Sequence, residues 1–385
     1  MSFFFAPAPE PATRLGYYRK LAPRAAVHVS PLCLGGMSIG DKWAAFGMGS
    51  MDKESSFRLL DAFFDAGGNF IDTANNYQDG SSEEFIGEWA ERRGVRDQLV
   101  IATKFTHNWH RGDDSIVQKV NFMGNNIKSL TLSVEASLKK LRTTYIDILY
   151  VHLWDNEADV EEIMDGLHNL VVSGKVLYLG VSNMPAWMVV KANEYARHNG
   201  KTPFVVYQAR WSVLDRDIER EILSMCRHEG LAIAPFAVLA GGHIRTDEEE
   251  ERRRESGEGG RTLLGQKWER TPTERAVCQA LEKVAKEVGA QHITAVAIAY
   301  VMQKAPYVFP IIGGRKIEQL HANLEALSIH LTDKHIKAIE AAAPLPLGYP
   351  WTVTGAYGTL PWFYSSLAKV EHQPILAPLK PTRNN

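Results

Sequence analysis

Cysteine is scarce in this 385-residue chain, in which only three residues carry a thiol: Cys33, Cys226 and Cys278. Three scattered cysteines supply neither a disulfide framework nor the ligand spacing of a zinc site, so we expect no metal centre. Free thiols are typical of a reducing compartment, and we therefore expect a cytoplasmic location.

Long apolar stretches are also missing. No run approaches the ~18 apolar residues that a membrane-spanning helix requires. Residues 1–11 are apolar, but they lack basic side chains and contain three prolines, so they do not resemble a signal peptide. We expect no membrane partner.

An excess of charge of either sign is absent as well. The net charge is −2 and the pI is about 6.7, which argues against a nucleic-acid partner because such a partner requires a basic surface. The composition, with 45% hydrophobic and 23% charged residues, is that of a globular protein. The length fits two or three domains, but α/β barrels of this size also form a single domain.

Strand-like apolar segments alternate with segments of helical spacing along most of the chain. The eight strand segments are 28–36, 69–73, 99–105, 145–152, 176–181, 204–207, 231–239 and 308–312. Eight β-then-α units predict a (β/α)8 TIM barrel of the α/β class. An open doubly wound sheet is the main alternative, but the G-x-G-x-x-G turn that would favour it does not follow the first strand. We predict one domain over residues 1–385, with its core at about 27–343.

Three segments lie outside this alternation: an N-terminal lead-in at 1–25, a charged insert at 241–270 and a C-terminal tail at 344–385. A charge run such as that of the insert is most often a solvated, mobile surface. The insert follows the seventh strand, however, where barrels often bind phosphate, which makes Arg261 and Lys267 alternative phosphate ligands. The tail is too apolar to be simply disordered. We expect it to pack on the barrel, where it could border a pocket or the partner in a homodimer.

Polar residues stand at or after the ends of three consecutive strand segments: Asp72 and Tyr77, Lys104, and His152. Taken singly, each has an ordinary explanation as a cap, a core aromatic, a surface lysine or a core histidine. Sites in parallel α/β folds form where strands end, so we expect the four side chains to meet.

The chemistry of this set is that of a proton donor beside a carbonyl-binding group. Lys104 would lower the pKa of the Tyr77 phenol, and Asp72 would keep the buried lysine charged. His152 can hydrogen-bond a substrate oxygen. Reduction of a carbonyl also needs a hydride, which no side chain provides, and a nicotinamide cofactor is the simplest source. Amide and hydroxyl ligands stand at further strand ends, with an aromatic ring nearby: Ser182, Asn183, Gln208 and Phe236.

The chain resembles the aldo-keto reductase superfamily along nearly its whole length. The resemblance is carried by segments 69–74 with Tyr77, 102–104, 151–152, 180–183, 207–208 and 311–323. It is strongest with the fungal aryl-alcohol dehydrogenase and norsolorinic-acid-reductase-like branch, through segments 32–37, 174–180 and 313–316.

This resemblance implies NADPH-dependent reduction of an aldehyde or ketone to an alcohol, with an aromatic or polyketide-derived substrate. Tyr77 would be the proton donor, Asp72 and Lys104 would tune it, and His152 would orient the substrate. The implied cofactor contacts are Gly36, Met37, Asp72, Ser182, Asn183, Gln208, Phe236, Ala237, Val238, Leu239, Ala240, Gly241, Gly242, Gly313, Gly314, Arg315, Gln319 and Asn323.

Tryptophans in loops after strands suggest walls of an aromatic pocket. They are Trp43, Trp109, Trp154 and Trp211, of which Trp109 and Trp154 are the expected substrate contacts beside His152.

Two departures from the family pattern concern the cofactor. Phe236 stands where a Tyr or Trp usually stacks on the nicotinamide. Gly313 and Gln319 stand where many members have the Lys and Arg that grip the 2′-phosphate, so preference for NADPH over NADH would depend on Arg315 and Lys316.

One alternative function is an NADPH-binding regulatory subunit or pathway protein with little turnover. The chain is similar in this respect to potassium-channel β subunits of the same superfamily. Those subunits lack the histidine at position 152, and its presence here favours a working enzyme.

Overall fold

A ring of eight parallel strands forms the centre of the computed structural model, which describes residues 6–44, 51–257 and 268–381. In these ranges the strands are β1 (Arg19–Ala22), β2 (Ala25–Val29), β3 (Cys33–Gly35), β4 (Phe70–Asp72), β5 (Val100–Phe105), β6 (Ile146–Val151), β7 (Val176–Ser182), β8 (Phe204–Arg210), β9 (Ala232–Phe236) and β10 (Ile311–Ile312). Strands β3 to β9 pair in chain order, and β10 pairs with β3. A parallel bridge between Ile233 and Val308 joins the remaining edges, so the predicted (β/α)8 barrel is confirmed.

Helices cover the outside of the ring. They are α1 (Lys53–Asp65), α2 (Ser81–Arg93), α3 (Ile127–Lys140), α4 (Val160–Val172), α5 (Ala186–His198), α6 (Ile222–Glu229), α7 (Asp247–Ser256), α8 (Pro272–Val288), α9 (Ile293–Met302), α10 (Ile317–Leu324), α11 (Asp333–Ala341), α12 (Trp351–Thr354) and α13 (Trp362–Leu367). Apolar side chains such as Leu60 of α1, Val134 of α3 and Leu281 of α8 form one buried cluster with the outward-facing strand residues. Their burial is the main contribution to the stability of the fold.

The first predicted strand, 28–36, is wrong as a single element. Residues up to Val29 belong to an antiparallel hairpin of β1 and β2, and the barrel strand β3 begins only at Cys33. The break falls at Pro31, which has no N–H to donate to a sheet. Leu21 and Val29 of the hairpin pack against barrel residues, including Phe70 at the start of β4, so the hairpin covers the end of the barrel where the strands begin.

Two helices begin directly after a glycine or a proline. Ser81 is the first residue of α2, and Gly80 precedes it with a φ of 98°. Pro185 is the N-cap of α5.

The described parts of the charged insert, residues 241–257 and 268–270, are more ordered than a solvated surface. Its residues 247–256 form α7, and Glu250 is buried with ion pairs to Arg245 and Arg270 at 3.2 and 2.6 Å. Arg275 also pairs with Glu250, at 3.0 Å. We call these four residues the insert cluster. The solvated, mobile expectation is wrong for Glu250, while Arg261 and Lys267 lie outside the described residues.

The tail packs on the barrel, as expected, through contacts at both of its ends. Arg220 Nε donates to the Pro346 carbonyl at 3.1 Å, and Lys380 Nζ donates to the Leu331 carbonyl at 2.9 Å. Between these contacts, the tail exposes apolar side chains such as Trp362. Across the described ranges, no helix combines the length and the apolar character needed to cross a membrane.

Candidate active site

The candidate active site lies where the barrel strands end. Asp72 is the last residue of β4, Lys104 is near the end of β5, and His152 directly follows β6. Tyr77 begins a short 3-10 turn, Tyr77–Gly80, in the loop after β4. Parallel strands place their C-terminal ends on one face of a barrel, and the structure brings these four residues together there.

Lys104 is the centre of the group. Its side chain is fully buried, and Nζ donates to Asp72 Oδ2 and to the Thr73 carbonyl, both at 2.6 Å. A third, longer hydrogen bond of 3.4 Å reaches the Tyr77 hydroxyl. The other carboxylate oxygen of Asp72 accepts from Gln208 Nε2 at 2.8 Å. Burial opposes the charge of the ammonium, but Asp72 and Tyr77 outweigh burial and raise the pKa of Lys104, which therefore stays charged.

The Tyr77 phenol stands between two aromatic rings. Its ring centroid is 5.9 Å from that of His152 and 6.2 Å from that of Trp43, in edge-on arrangements. Lys104 lowers the pKa of the Tyr77 phenol, as expected, but burial has the larger effect, so the pKa is raised above its ordinary value. The phenol is therefore protonated at neutral pH, which is the state that a proton donor requires.

His152 is neutral and incompletely hydrogen-bonded. Burial, aided by the nearby Lys104 ammonium, holds its pKa well below the usual value. Its Nδ1 is buried and has no hydrogen-bond partner among the described residues. A neutral imidazole has one donor and one acceptor nitrogen, so the ring can donate a hydrogen bond to a substrate carbonyl without bringing a charge into the site.

Residues predicted to contact a cofactor lie on the same face of the barrel. Gly36 and Met37 follow β3 in a short turn, and a Cβ atom at Gly36 would be 2.9 Å from the Asp72 carbonyl, so only glycine fits there. Ser182 ends β7, and Asn183 Nδ2 donates to Ser182 Oγ at 3.1 Å. These residues border the four side chains described above.

The loop after β9 has an unusual backbone. Phe236 is the last strand residue, and residues 237–242 follow it. Ala237 and Ala240 have φ values of 54° and 48°, a conformation that residues other than glycine seldom adopt and that concentrates in functional loops. Arg245 Nη1 donates to the Gly242 carbonyl at 3.0 Å, which ties the end of this loop to the insert cluster.

The segment after β10, residues 313–323, presents two exposed cations. Gln319 Oε1 accepts from the backbone N–H groups of Arg315 and Lys316, at 3.0 and 3.3 Å, and so shapes the turn before α10. The side chains of Arg315 and Lys316 are exposed, whereas Asn323 is buried. The turn thus holds two positive charges at the surface beside β10.

Of the predicted pocket walls, Trp43 and Trp109 lie in loops near the site. Trp43 contacts Tyr77, and its backbone N–H donates to Gln78 Oε1 at 2.8 Å. Trp109 packs against Phe122 with ring centroids 5.5 Å apart. Both tryptophans are mostly buried in aromatic surroundings.

The other two tryptophans differ from each other. The Trp154 backbone N–H donates to the Asn183 carbonyl at 3.5 Å, which places this residue beside His152 and Asn183. Trp211 is fully buried, and its indole N–H donates to Glu219 at 3.0 Å. The expectation of a pocket wall is therefore wrong for Trp211, which is a core residue with a satisfied donor.

Asn75 and Lys140 support the Tyr77 loop and cannot be recognised from the sequence. Lys140 Nζ donates to the Asn75 carbonyl at 2.9 Å and forms an ion pair with the buried Glu83. Asn75 Nδ2 in turn donates to Ser133 Oγ at 2.8 Å. The two residues are 65 positions apart, and a lysine near a helix end is ordinarily solvated, so no local signal points to this role.

Comparison with known proteins adds independent findings. The aldo/keto reductase family model matches residues 31–344. An aryl-alcohol dehydrogenase (NADP+) of Phanerodontia chrysosporium is 61% identical over 354 residues, which cover 91% of this chain and 92% of that protein. The norsolorinic acid reductase A of Aspergillus parasiticus is 48% identical over 385 aligned residues, covering 97% and 96% of the two chains. The aldo-keto reductase ausK of Aspergillus calidoustus is 51% identical over 351 residues, covering 91% and 88%.

Proposed function

The chain belongs to the aldo/keto reductase family, and from this we propose that it uses NADPH to reduce an aromatic or polyketide-derived aldehyde or ketone to the alcohol. The named activities of the relatives, aryl-alcohol dehydrogenase and norsolorinic acid reductase, support this substrate class. The single observation that carries the proposal is the hydrogen-bonding of one buried lysine, Lys104, to both Asp72 and Tyr77.

In the proposed reaction Tyr77 gives its proton to the carbonyl oxygen as the alcohol forms. Lys104 stabilises the phenolate that is left, and Asp72 keeps Lys104 charged and oriented. His152 donates a hydrogen bond to the same carbonyl oxygen and so holds it against the phenol. When bound, the nicotinamide cofactor supplies the hydride.

The residues present fit a nicotinamide dinucleotide. Gly36 packs against the Asp72 carbonyl, and Met37, the next residue in the same turn, is partly exposed beside the site. Asn183 is exposed directly after β7 and offers its side-chain amide, while the buried Ser182 hydroxyl accepts a hydrogen bond from that amide. Arg315 and Lys316 offer exposed positive charge suited to a 2′-phosphate.

The direct test is NADPH consumption, followed by absorbance, with aromatic aldehydes, aliphatic aldehydes and aryl ketones. NADH is run alongside. Turnover with aromatic carbonyls supports the proposal. Tight NADPH binding without turnover on any compound would instead favour the regulatory-subunit alternative.

Replacing Arg315 with alanine is expected to raise the KM for NADPH about tenfold or more while leaving the KM for NADH nearly unchanged. A hydrogen bond to a charged group contributes about 1.5–3 kcal/mol, and only NADPH carries the 2′-phosphate. Steady-state kinetics with each cofactor measure the effect, and Lys316→Ala is expected to act in the same direction.

Lys334→Ala is the matched control, since Lys334 is an exposed lysine on α11, outside the proposed site. It should leave both KM values unchanged. An equal rise for NADPH and NADH in Arg315→Ala would show that the side chain contacts no group specific to NADPH.

A further inference from the structure

A second histidine contacts His152. His107 lies two residues beyond β5, and its ring centroid is 4.5 Å from that of His152, with the ring planes at 88°. His152 in turn contacts Tyr77. The proton donor, the carbonyl-orienting histidine and His107 therefore form a continuous row of three rings.

The backbone before His107 is held in a rare conformation. Thr106 has a φ of 100°, which is unfavourable for a β-branched residue. Thr106 Oγ1 donates to Asn125 Oδ1 at 2.7 Å, and the Gly124 N–H donates to the Thr106 carbonyl at 2.8 Å. Asn125 Nδ2 also donates to the Leu153 carbonyl at 3.0 Å, next to His152. The same asparagine thus fixes both histidine-bearing segments.

The carbonyl of His107 is also fixed, since it accepts from Asn75 Nδ2 at 2.9 Å. The imidazole is partly buried, and across residues 6–44, 51–257 and 268–381 no protein hydrogen bond reaches its ring nitrogens. Burial and Lys104 lower its pKa, so the ring is neutral and offers one donor and one acceptor. With its backbone fixed, its ring packed on His152 and its ring nitrogens without a protein partner in the described ranges, His107 is available to bind a ligand.

We propose that His107 binds an oxygen substituent adjacent to the reacting carbonyl, so that the site prefers aryl carbonyls with an ortho hydroxyl group. The inference rests on the proposed reductase function. In such compounds the hydroxyl and carbonyl oxygens lie about 2.6 Å apart, as in other short O–H···O hydrogen bonds. Two neighbouring imidazoles can therefore contact the two oxygens, with His152 on the carbonyl and His107 on the hydroxyl.

The test compares 2-hydroxybenzaldehyde with 4-hydroxybenzaldehyde as substrates for the wild type, His107→Phe and His107→Gln. The ratio of the two kcat/KM values is measured, because intrinsic differences in aldehyde reactivity cancel between variants. In His107→Phe, which keeps a flat ring, the ratio is expected to fall about five- to tenfold, mainly through KM for the 2-hydroxy compound. His107→Gln keeps a hydrogen-bonding group and is expected to restore part of the preference.

His110→Phe is the control, since it makes the same change three residues further along the same loop. It is expected to leave the ratio unchanged. An unchanged ratio in His107→Phe, or an equal loss on both aldehydes, overturns the role of His107 while leaving the reductase function intact. Absence of turnover with either aldehyde and every other carbonyl in the wild type would instead overturn the proposed function.

Discussion

Tyr77→Phe is expected to lower kcat for carbonyl reduction by about 10²- to 10⁴-fold, the contribution typical of a positioned general acid. The change removes only the hydroxyl group. The ring keeps its contacts with Trp43 and His152, and Asp72 keeps its ion pair with Lys104. The Kd for NADPH, measured by fluorescence titration, should therefore remain within about threefold of the wild-type value, a shift below one kcal/mol.

The pH profile gives a second check on the same residue. Because burial raises the pKa of the phenol, Tyr77 is protonated through the neutral range. Loss of reduction through ionisation of Tyr77 is expected only above about pH 10, the ordinary value for tyrosine. A fall in rate through pH 7–8 would assign the proton donor to another group.

Tyr145→Phe is the control for Tyr77→Phe. Tyr145 precedes β6, at the opposite end of that strand from His152, and its hydroxyl donates to Asp97 at 2.8 Å. The control should retain turnover. If Tyr77→Phe weakened NADPH binding as much as it slowed turnover, the phenol would have a structural role instead of a chemical one.

The placement of the four central residues is predictable because it depends on regular geometry. Alternating strand and helix segments predict parallel strands, and parallel strands place their C-terminal residues on one face. Asp72, Lys104 and His152 each stand at such an end, so their convergence follows without knowledge of any long-range contact. The identity of Lys104 as the central hydrogen-bond donor follows from its charge, which must be paired when buried.

The supporting contacts are not predictable in this way. They join segments that are distant in the chain: Lys140 donates to the Asn75 carbonyl, and Asn125 bonds to both Thr106 and Leu153. Glu250 illustrates the same limit: a charge run predicts solvent exposure, but four arginines form ion pairs with this one carboxylate and allow its burial. Burial of a single member of a charged segment depends on tertiary partners that no local pattern reveals.

Lys104→Met is expected to lower the free energy of unfolding by about 3–5 kcal/mol and to abolish turnover. Removing one partner of a buried ion pair leaves the other charge uncompensated, and this accounts for the size of the effect. Asp72 is 3% exposed and would keep only the hydrogen bond from Gln208. Urea unfolding measures the stability change, and NADPH consumption measures the turnover.

The double variant Asp72→Asn/Lys104→Met separates the structural role of the pair from its chemical role. It removes both charges and keeps the approximate volumes, so most of the lost stability should return while turnover stays absent.

The difference in unfolding free energy between the single variant Lys104→Met and the double variant should also depend on pH. Burial raises the pKa of Asp72 above its ordinary value even beside Lys104, and loss of the ammonium raises it further, so the folded single variant binds a proton more tightly than the unfolded chain does. The stability deficit of Lys104→Met relative to the double variant should therefore be small in acid and grow as the pH rises from about 3.9, the unfolded value, through the raised pKa. If this difference shrank with rising pH, the pKa of Asp72 would not be raised in the folded single variant. Turnover in the double variant would show that Lys104 is not needed to stabilise the Tyr77 phenolate.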